Sequence, residues 1–300
     1  MAKTQNSAGK AITTKVVGGI GNQLFCYFAG YYLSKKLGLN LKVDVSDIRN
    51  KRSVHDVSIE ALDLPGVFYE RSNSEVLHYL SRFRNKIITT LPFRGTSRRS
   101  YISPLIGFDP YLDEINTPTS IHGYFQSYKY SRSFLEERRE VELKNPSNWY
   151  LQMIESSRDS KFTALHIRRG DYRFHSDTYG LLSKKYYEEA ITYLRNRNDL
   201  HKLYIFSDDV QAAKELLYSL TPSDTVWINP SSESNPVESL LLMSKAHSNI
   251  IANSTYSWWG AALNFEKGIV IAPKKWFRSM PDPQALYPPE WHTIESYWES

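Results

Sequence analysis

KLYIFSDDVQAAKELLYSL, Lys202 to Leu220, is one copy of the pattern that decides the fold. KLYIFS is a short apolar run that reads as a strand. SDD follows as a turn in which Ser207 or Asp208 could cap a helix, and 210–220 carries apolar residues at helical spacing. The same alternation recurs on both sides. Strand-like runs stand at FTALHI (162–167), TVWI (225–228), NIIA (249–252) and GIVIAP (268–273). Helical patterns fill 184–196, 236–247 and 254–265. Strand and helix repeated in this order make a doubly wound α/β domain.

The first half opens in the same way. TKVV reads as a strand, GGIG as a turn and Asn22 to Lys36 as a helix, with Leu24, Phe28, Tyr31, Tyr32 and Leu33 near one face. Gly38 ends the helix and LKVDV (41–45) is the next strand, a βαβ unit that implies a parallel sheet. Residues 46–118 show no clean period, and TSIHGYF (119–125) reads as a further strand. The linker falls near KNPSNW, Lys144 to Trp149. Two α/β domains, 1–150 and 151–280, are therefore expected to face each other across a ligand cleft, with a packed tail over 281–300.

Composition bounds the function. The 300 residues are 41% hydrophobic and 23% charged, as in ordinary globular proteins. No apolar run reaches the ~18–20 residues of a membrane span. The polar start, MAKTQNSAGKAITT, lacks the apolar core of a signal peptide. One cysteine, Cys26, excludes an intrachain disulfide and a Cys-rich zinc site. A cytoplasmic protein is the expectation. The net charge of +5 suits an anionic ligand.

Several motifs fail. GGIGNQ lacks the third glycine of the dinucleotide fingerprint, because position 24 is leucine. It reads equally as a tight turn packing a helix on a sheet, with Asn22 capping that helix or facing a ligand. H-E-x-x-H and the P-loop are absent, and no two aspartates stand in D-x-D spacing. No metal or other cofactor is expected. A phosphorylated ligand would have to be neutralised by side-chain cations and backbone N–H groups.

LHIRRGDY, Leu165 to Tyr172, can supply them. It lies at the carboxyl end of a strand, where doubly wound sheets bind ligands. Alternation puts His166 and Arg168 on one face and Arg169 on the other. Arginine presents a planar fork of donors to phosphate oxygens. An ion-pair cluster around Asp171 is the plainer reading. Two more strand ends carry polar groups: FSDD with Asp208 and Asp209, and NSTYSWWGAAL from Asn253. Helix capping explains each alone, yet a helix start lined with hydroxyls is also an anion site. Trp258 and Trp259 read as core. From Val76 to Phe108 there are six Lys or Arg and no acid. This reads as a solvated basic face, with peripheral membrane contact through 82–99 as the functional alternative; nucleic acid binding is not expected.

Taken in order, GGIGNQLFCYFAGYYLSKKLG, GYFQSYKY, HIRRGDY, YIFSDD, HSNIIANSTYSWWGAALN and IVIAPKKWF resemble the α-1,2-fucosyltransferases, glycosyltransferase family eleven. The resemblance implies a GT-B-like architecture of two facing Rossmann-like domains, acceptor-side over 1–150 and donor-side over 151–280. It implies metal-independent, inverting transfer of fucose from GDP-fucose to the 2-hydroxyl of a terminal β-galactoside. Carried over by position, Arg168 and Arg169 hold the pyrophosphate and His166 lies near the nucleotide. Asn253, Ser254, Thr255 and Ser257 form the helix start on the phosphate. Glu238 accepts from guanine, Asp208 and Asp209 line the pocket, and Gly21 and Asn22 form the acceptor-side loop. Where family members often carry histidine, position 179 is tyrosine. Inversion needs a base for the acceptor hydroxyl. Asp171 is the first candidate, with His175 and Asp177 behind it. A non-catalytic nucleotide-sugar or glycan binder, or a fucosyltransferase of another linkage, are the alternatives.

Overall fold

The computed structural model of the chain describes residues 10–52, 55–70, 100–232, 234–266 and 268–299. The basic stretch 82–99, and with it the membrane-contact reading, lies outside them. Among the described residues no helix is long and apolar enough to cross a membrane. The chain forms two compact units. One comprises Met1–Glu60, Leu64–Ser133 and Pro283–Leu286; the other Ala61–Asp63, Phe134–Asp282 and Tyr287–Ser300. The units divide at 133/134, ahead of the 144–149 stretch, and helix α3 (Asn148–Ser157) sits wholly in the second.

The first unit holds β1 (Ala11–Lys15), α1 (Ile20–Leu37), β2 (Asn40–Asp44), β3 (Val67–Tyr69), β4 (Ser100–Ile102), β5 (Ser120–His122) and most of α2 (Tyr128–Glu136). Its five strands are all parallel, in the order β3-β2-β1-β5-β4. β1 alternates in burial, and Ile12 packs with Ala29, Leu33, Ile121 and Phe125. Helix α1 begins two residues before the expected Asn22. Its N-cap is Gly19 without a side-chain cap, so Asn22 does not cap it. Thr14 Oγ1 donates to the carbonyl of Cys26 at 2.6 Å, binding strand to helix inside the core.

The second unit adds β6 (Phe162–Ile167), α4 (Ser176–Tyr179), α5 (Lys184–Arg195), β7 (Lys202–Ser207), α6 (Val210–Leu217), β8 (Val226–Trp227), α7 (Pro236–Met243), β9 (Ser248–Ile250), α8 (Thr255–Ala262), β10 (Val270–Pro273) and β11 (His292–Ile294). Its six strands are also parallel, ordered β11-β10-β9-β6-β7-β8. β6 is buried at every position, because both faces of the sheet are covered. Leu165 and Ile167 join a cluster with Tyr187, Ile191 and Leu194 of α5. Phe162 and Ala164 join the opposite cluster with Leu242 and Met243 of α7. Trp258 and Trp259 are fully buried, as core residues.

In each sheet the strand order reverses beside its first strand. From β6 the chain runs outward through β7 and β8, then returns to place β9 on the other side of β6. β1 is flanked likewise by β2 and β5. Such reversal points open a crevice at the carboxyl ends of the strands. Residues following β6 and β9, and those following β1 and β5, occupy these positions.

The tail is structural. β11 extends the second sheet, Glu299 N donates to Leu181 O at 2.8 Å, and Ser183 N donates to Tyr297 O at 2.7 Å. Gly180 sits against Trp298 at a φ of 80°, where an added Cβ would fall 2.4 Å from the indole. Gly180→Ala is expected to destabilise the protein by about 1–3 kcal/mol through overpacking, measured as a lower urea midpoint. An unchanged midpoint would mean that the tail does not dock as described.

Candidate active site

Asp208, after β7, organises the reversal point of the second sheet. One carboxylate oxygen accepts the backbone N–H of Arg169 at 2.8 Å. The other pairs with Arg168 Nη1 at 2.9 Å. The carboxylate comes so close to the loop that a Cβ on Gly170 would lie 2.4 Å from Oδ2. A side chain at 170 would therefore have to displace the Asp208 carboxylate from its contacts.

Arg168 is held from several sides. Its Nη2 pairs with Asp171, its guanidinium lies 5.0 Å from the centroid of the Tyr172 ring, and its Nε is buried without a hydrogen-bond partner. The Arg168 side chain is 22% exposed, whereas that of Asp171 is 59% exposed. Exposed ion pairs contribute only about 0–1 kcal/mol. The Asp171 contact is thus the easier one to exchange for a ligand anion.

Arg169, which like Arg168 lies just beyond the end of β6, has a different set of partners. It is buried, pairs with Glu299 at 2.8 Å and donates to Leu182 O at 3.3 Å. In this arrangement it fastens the tail to the loop. Asp209, not Ser207 or Asp208, is the side-chain cap of α6: it accepts from Ala212 N at 3.0 Å. Ser207 is turned instead to the Asp209 backbone, accepting its N–H at 3.1 Å, and Asp208 is committed to the β6 loop. The second oxygen of Asp209 pairs with Arg173 at 3.0 Å.

His166 is buried on the Arg168 face, its ring 5.5 Å from that of Tyr256 in the first turn of α8. Burial, helped by the charge of Arg168, lowers its pKa to about 3, so the imidazole is neutral. Its Nδ1 has no partner. Ser254 is the N-cap of α8 but makes no side-chain cap. The first-turn N–H groups of Thr255, Tyr256 and Ser257 consequently have no acceptor within the helix. Ser257 Oγ bonds the carbonyls of Ala252 and Ser254. Asn253 donates to the carbonyls of Tyr179, Gly180 and Trp276 at 2.9–3.3 Å. Its own carbonyl accepts from Tyr172 at 3.1 Å. Asn253 thus shapes the site by clamping three segments.

Glu238 is almost fully buried in α7, and both its oxygens are engaged by Ser147, through the backbone N–H at 2.7 Å and the hydroxyl at 2.6 Å. His175, at the end of a 3-10 turn that starts at Asp171, and Asp177, in α4, are both exposed. Tyr179, at the position of the family's histidine, packs between Tyr172 at 4.9 Å and Phe277 at 6.0 Å.

In the first unit, Gly21 and Asn22 lie in the first turn of α1, beyond β1. Asn22 Oδ1 accepts from Gln126 Nε2 at 3.1 Å, linking the segments that follow β1 and β5. Gln23, which sequence reasoning missed, is fully buried. It donates to Gly18 O and Asp56 O, each at 2.8 Å, and accepts from Ile59 N at 3.1 Å. Its presence within GNQ was the available signal, but two of its three partners are 33 and 36 residues away. Tyr172 and Ser147 were missed for the same reason.

The chain matches glycosyl transferase family 11 over residues 109–295. It is 32% identical over 286 residues to the Escherichia coli O-antigen biosynthesis glycosyltransferase WbnK, covering 87% of this chain and 93% of that one. It is 31% identical over 280 residues to an Escherichia coli alpha-1,2-colitosyltransferase, covering 89% and 92%. Among solved structures, a glycosyl transferase family 9 protein from Veillonella parvula aligns with 100% of this chain and 90% of its own, with a TM-score of 0.52 and 10% identity. That likeness concerns the fold, which is GT-B-like with two Rossmann-like units. With the motifs, the parallel sheets and the sequence relatives in agreement, the chain belongs to glycosyl transferase family 11, the α-1,2-fucosyltransferase family.

Proposed function

We propose that the protein transfers L-fucose from GDP-fucose to the 2-hydroxyl of a terminal β-galactoside, inverting the anomeric centre and forming an α-1,2 linkage. The observation that carries the donor side is Arg168. It is a guanidinium at the reversal point of the second sheet, over the ring of Tyr172, whose hydroxyl donates to Asn253 O just ahead of the uncapped α8, and its buried Nε lacks a partner.

The acceptor oxygen attacks the anomeric carbon as the bond to the β-phosphate oxygen breaks. The electron pair of that bond leaves with GDP, and the hydroxyl proton passes to a base. Negative charge grows on the bridging oxygen. Arg168 and the N–H groups of Thr255 and Tyr256 are preorganised donors for that charge, the arrangement in which electrostatic catalysis is strongest. The sequence has no D-x-D pair, so these donors take the part that a nucleotide-bound cation takes elsewhere. His166, being neutral, contributes a hydrogen bond rather than charge. Asp171 is our candidate for the base. Donor diphosphate replaces it on Arg168, and the released carboxylate is then able to accept the acceptor's proton.

A second reading concerns the sugar alone. Similarity to a colitosyltransferase favours a donor lacking one ring hydroxyl, on the same site and with the same linkage.

Incubation with GDP-fucose or GDP-colitose and a panel of galactosides, with and without EDTA, tests the proposal. An α-1,2-linked product, assigned by NMR and formed equally in EDTA, is expected. Donor binding without transfer would reduce the protein to a nucleotide-sugar binder, and a different linkage would displace the galactose 2-hydroxyl. Asp171→Asn separates base from arginine partner. As a base, its loss should lower kcat by about 10²–10⁴-fold, with no rise in KM for the donor. Unchanged kcat would leave Asp171 as only the partner of Arg168.

A further inference from the structure

The opposite end of the second sheet carries a separate cluster. Asp199 and His201 immediately precede β7, and His247 immediately precedes β9. Because the strands are parallel, this is the amino end, remote from the carboxyl ends that hold Arg168 and Asp208. One ligand atom from each of the three side chains lies within 4.8 Å of the others. We propose that Asp199, His201 and His247 form a binding site for one divalent transition-metal ion of the zinc class.

The chemistry of the donors fits. Two imidazoles and one carboxylate make a nitrogen-rich set suited to Zn²⁺, Co²⁺ or Ni²⁺ rather than Mg²⁺ or Ca²⁺. Three protein ligands leave a fourth position for water. His247 Nε2 lies 3.0 Å from Asp199 Oδ1. Two ligands at about 2.0–2.1 Å from a tetrahedral ion stand only slightly farther apart. The Asp–His contact alone does not account for the cluster, since His201 Nε2 is buried there without a hydrogen-bond partner. The two imidazole rings meet edge to face at 4.7 Å.

The cluster is also preorganised. The second oxygen of Asp199 accepts from Ser248 Oγ and from Ile269 N, which fixes the carboxylate plane. His201 N donates to Thr163 Oγ1 at 2.9 Å, and His247 N donates to Phe162 O at 2.8 Å. Both histidine backbones are thus pinned to the start of β6. Bonds of this kind orient ligands in known metal sites. A bound ion would join the turn after α5 to the turn after α7 and brace the amino edge of β6, β7 and β9. It lies outside the catalytic machinery, so it is a stabilising site and does not conflict with transfer in EDTA.

Full-length protein dialysed against EDTA and titrated with Zn²⁺ by calorimetry tests this. One Zn²⁺ per chain is expected, with a higher melting temperature that Mg²⁺ does not reproduce. His201→Ala and the size-conserving His201→Gln should each weaken Zn²⁺ binding at least ~10-fold and abolish the melting shift, with metal-free stability close to the parent. Failure of the parent to take up stoichiometric Zn²⁺ would overturn the proposal. Equal Zn²⁺ affinity in both His201 variants would overturn it as well.

Discussion

The Asp208 carboxylate is the constraint on which the site depends. It spans two strand ends, accepting the Arg169 N–H with one oxygen and pairing with Arg168 through the other. This contact ties the loop after β6 to the end of β7 and leaves no room for a Cβ at 170 unless the carboxylate moves. It also sends the two adjacent arginines to opposite faces. Arg168 turns to the crevice, while Arg169 turns inward to Glu299. Two residues of one type and one sequence position apart therefore have different partners, Asp208 and Asp171 for the Arg168 side chain and Glu299 for that of Arg169.

Charge balance gives the second constraint. Around the loop, Arg168 and Arg173 face Asp171, Asp208 and Asp209. Two cations and three carboxylates leave an excess of negative charge, unfavourable for a diphosphate. The exposed Asp171 pair is weak and exchangeable, whereas Asp208 is fixed by a backbone N–H. An arriving anion thus has one contact to displace. The start of α8, which has no side-chain cap, offers further positive potential.

The long buried strands and the helices between them were legible in the sequence, because β6, β7 and their helices carry sustained apolar periods. β3, β4 and β11, of three residues each, lie in the 46–118 stretch without a clean period and in the C-terminal tail, where no apolar run marks them. The site was legible as residue types at strand ends, but not as partnerships. Nothing local marks Glu238 as held by Ser147, 91 residues away, or Asn253 as a clamp on the carbonyls of Tyr179 and Trp276. Asp209 shows the opposite limit. Three neighbouring residues all had capping chemistry, and the long-range demand of Arg169 N for Asp208 decided which one capped α6. The cluster at Asp199, His201 and His247 has no motif spacing, since parallel strands bring its parts together from two turns.

The central claim is that the fork of Arg168 stabilises charge on the departing diphosphate. The most direct measurement is kcat at saturating GDP-fucose for Arg168→Lys, which keeps the charge and loses the planar donors. The account expects a fall of at least ~10²-fold, comparable to loss of one transition-state donor. Turnover near that of the parent would contradict it.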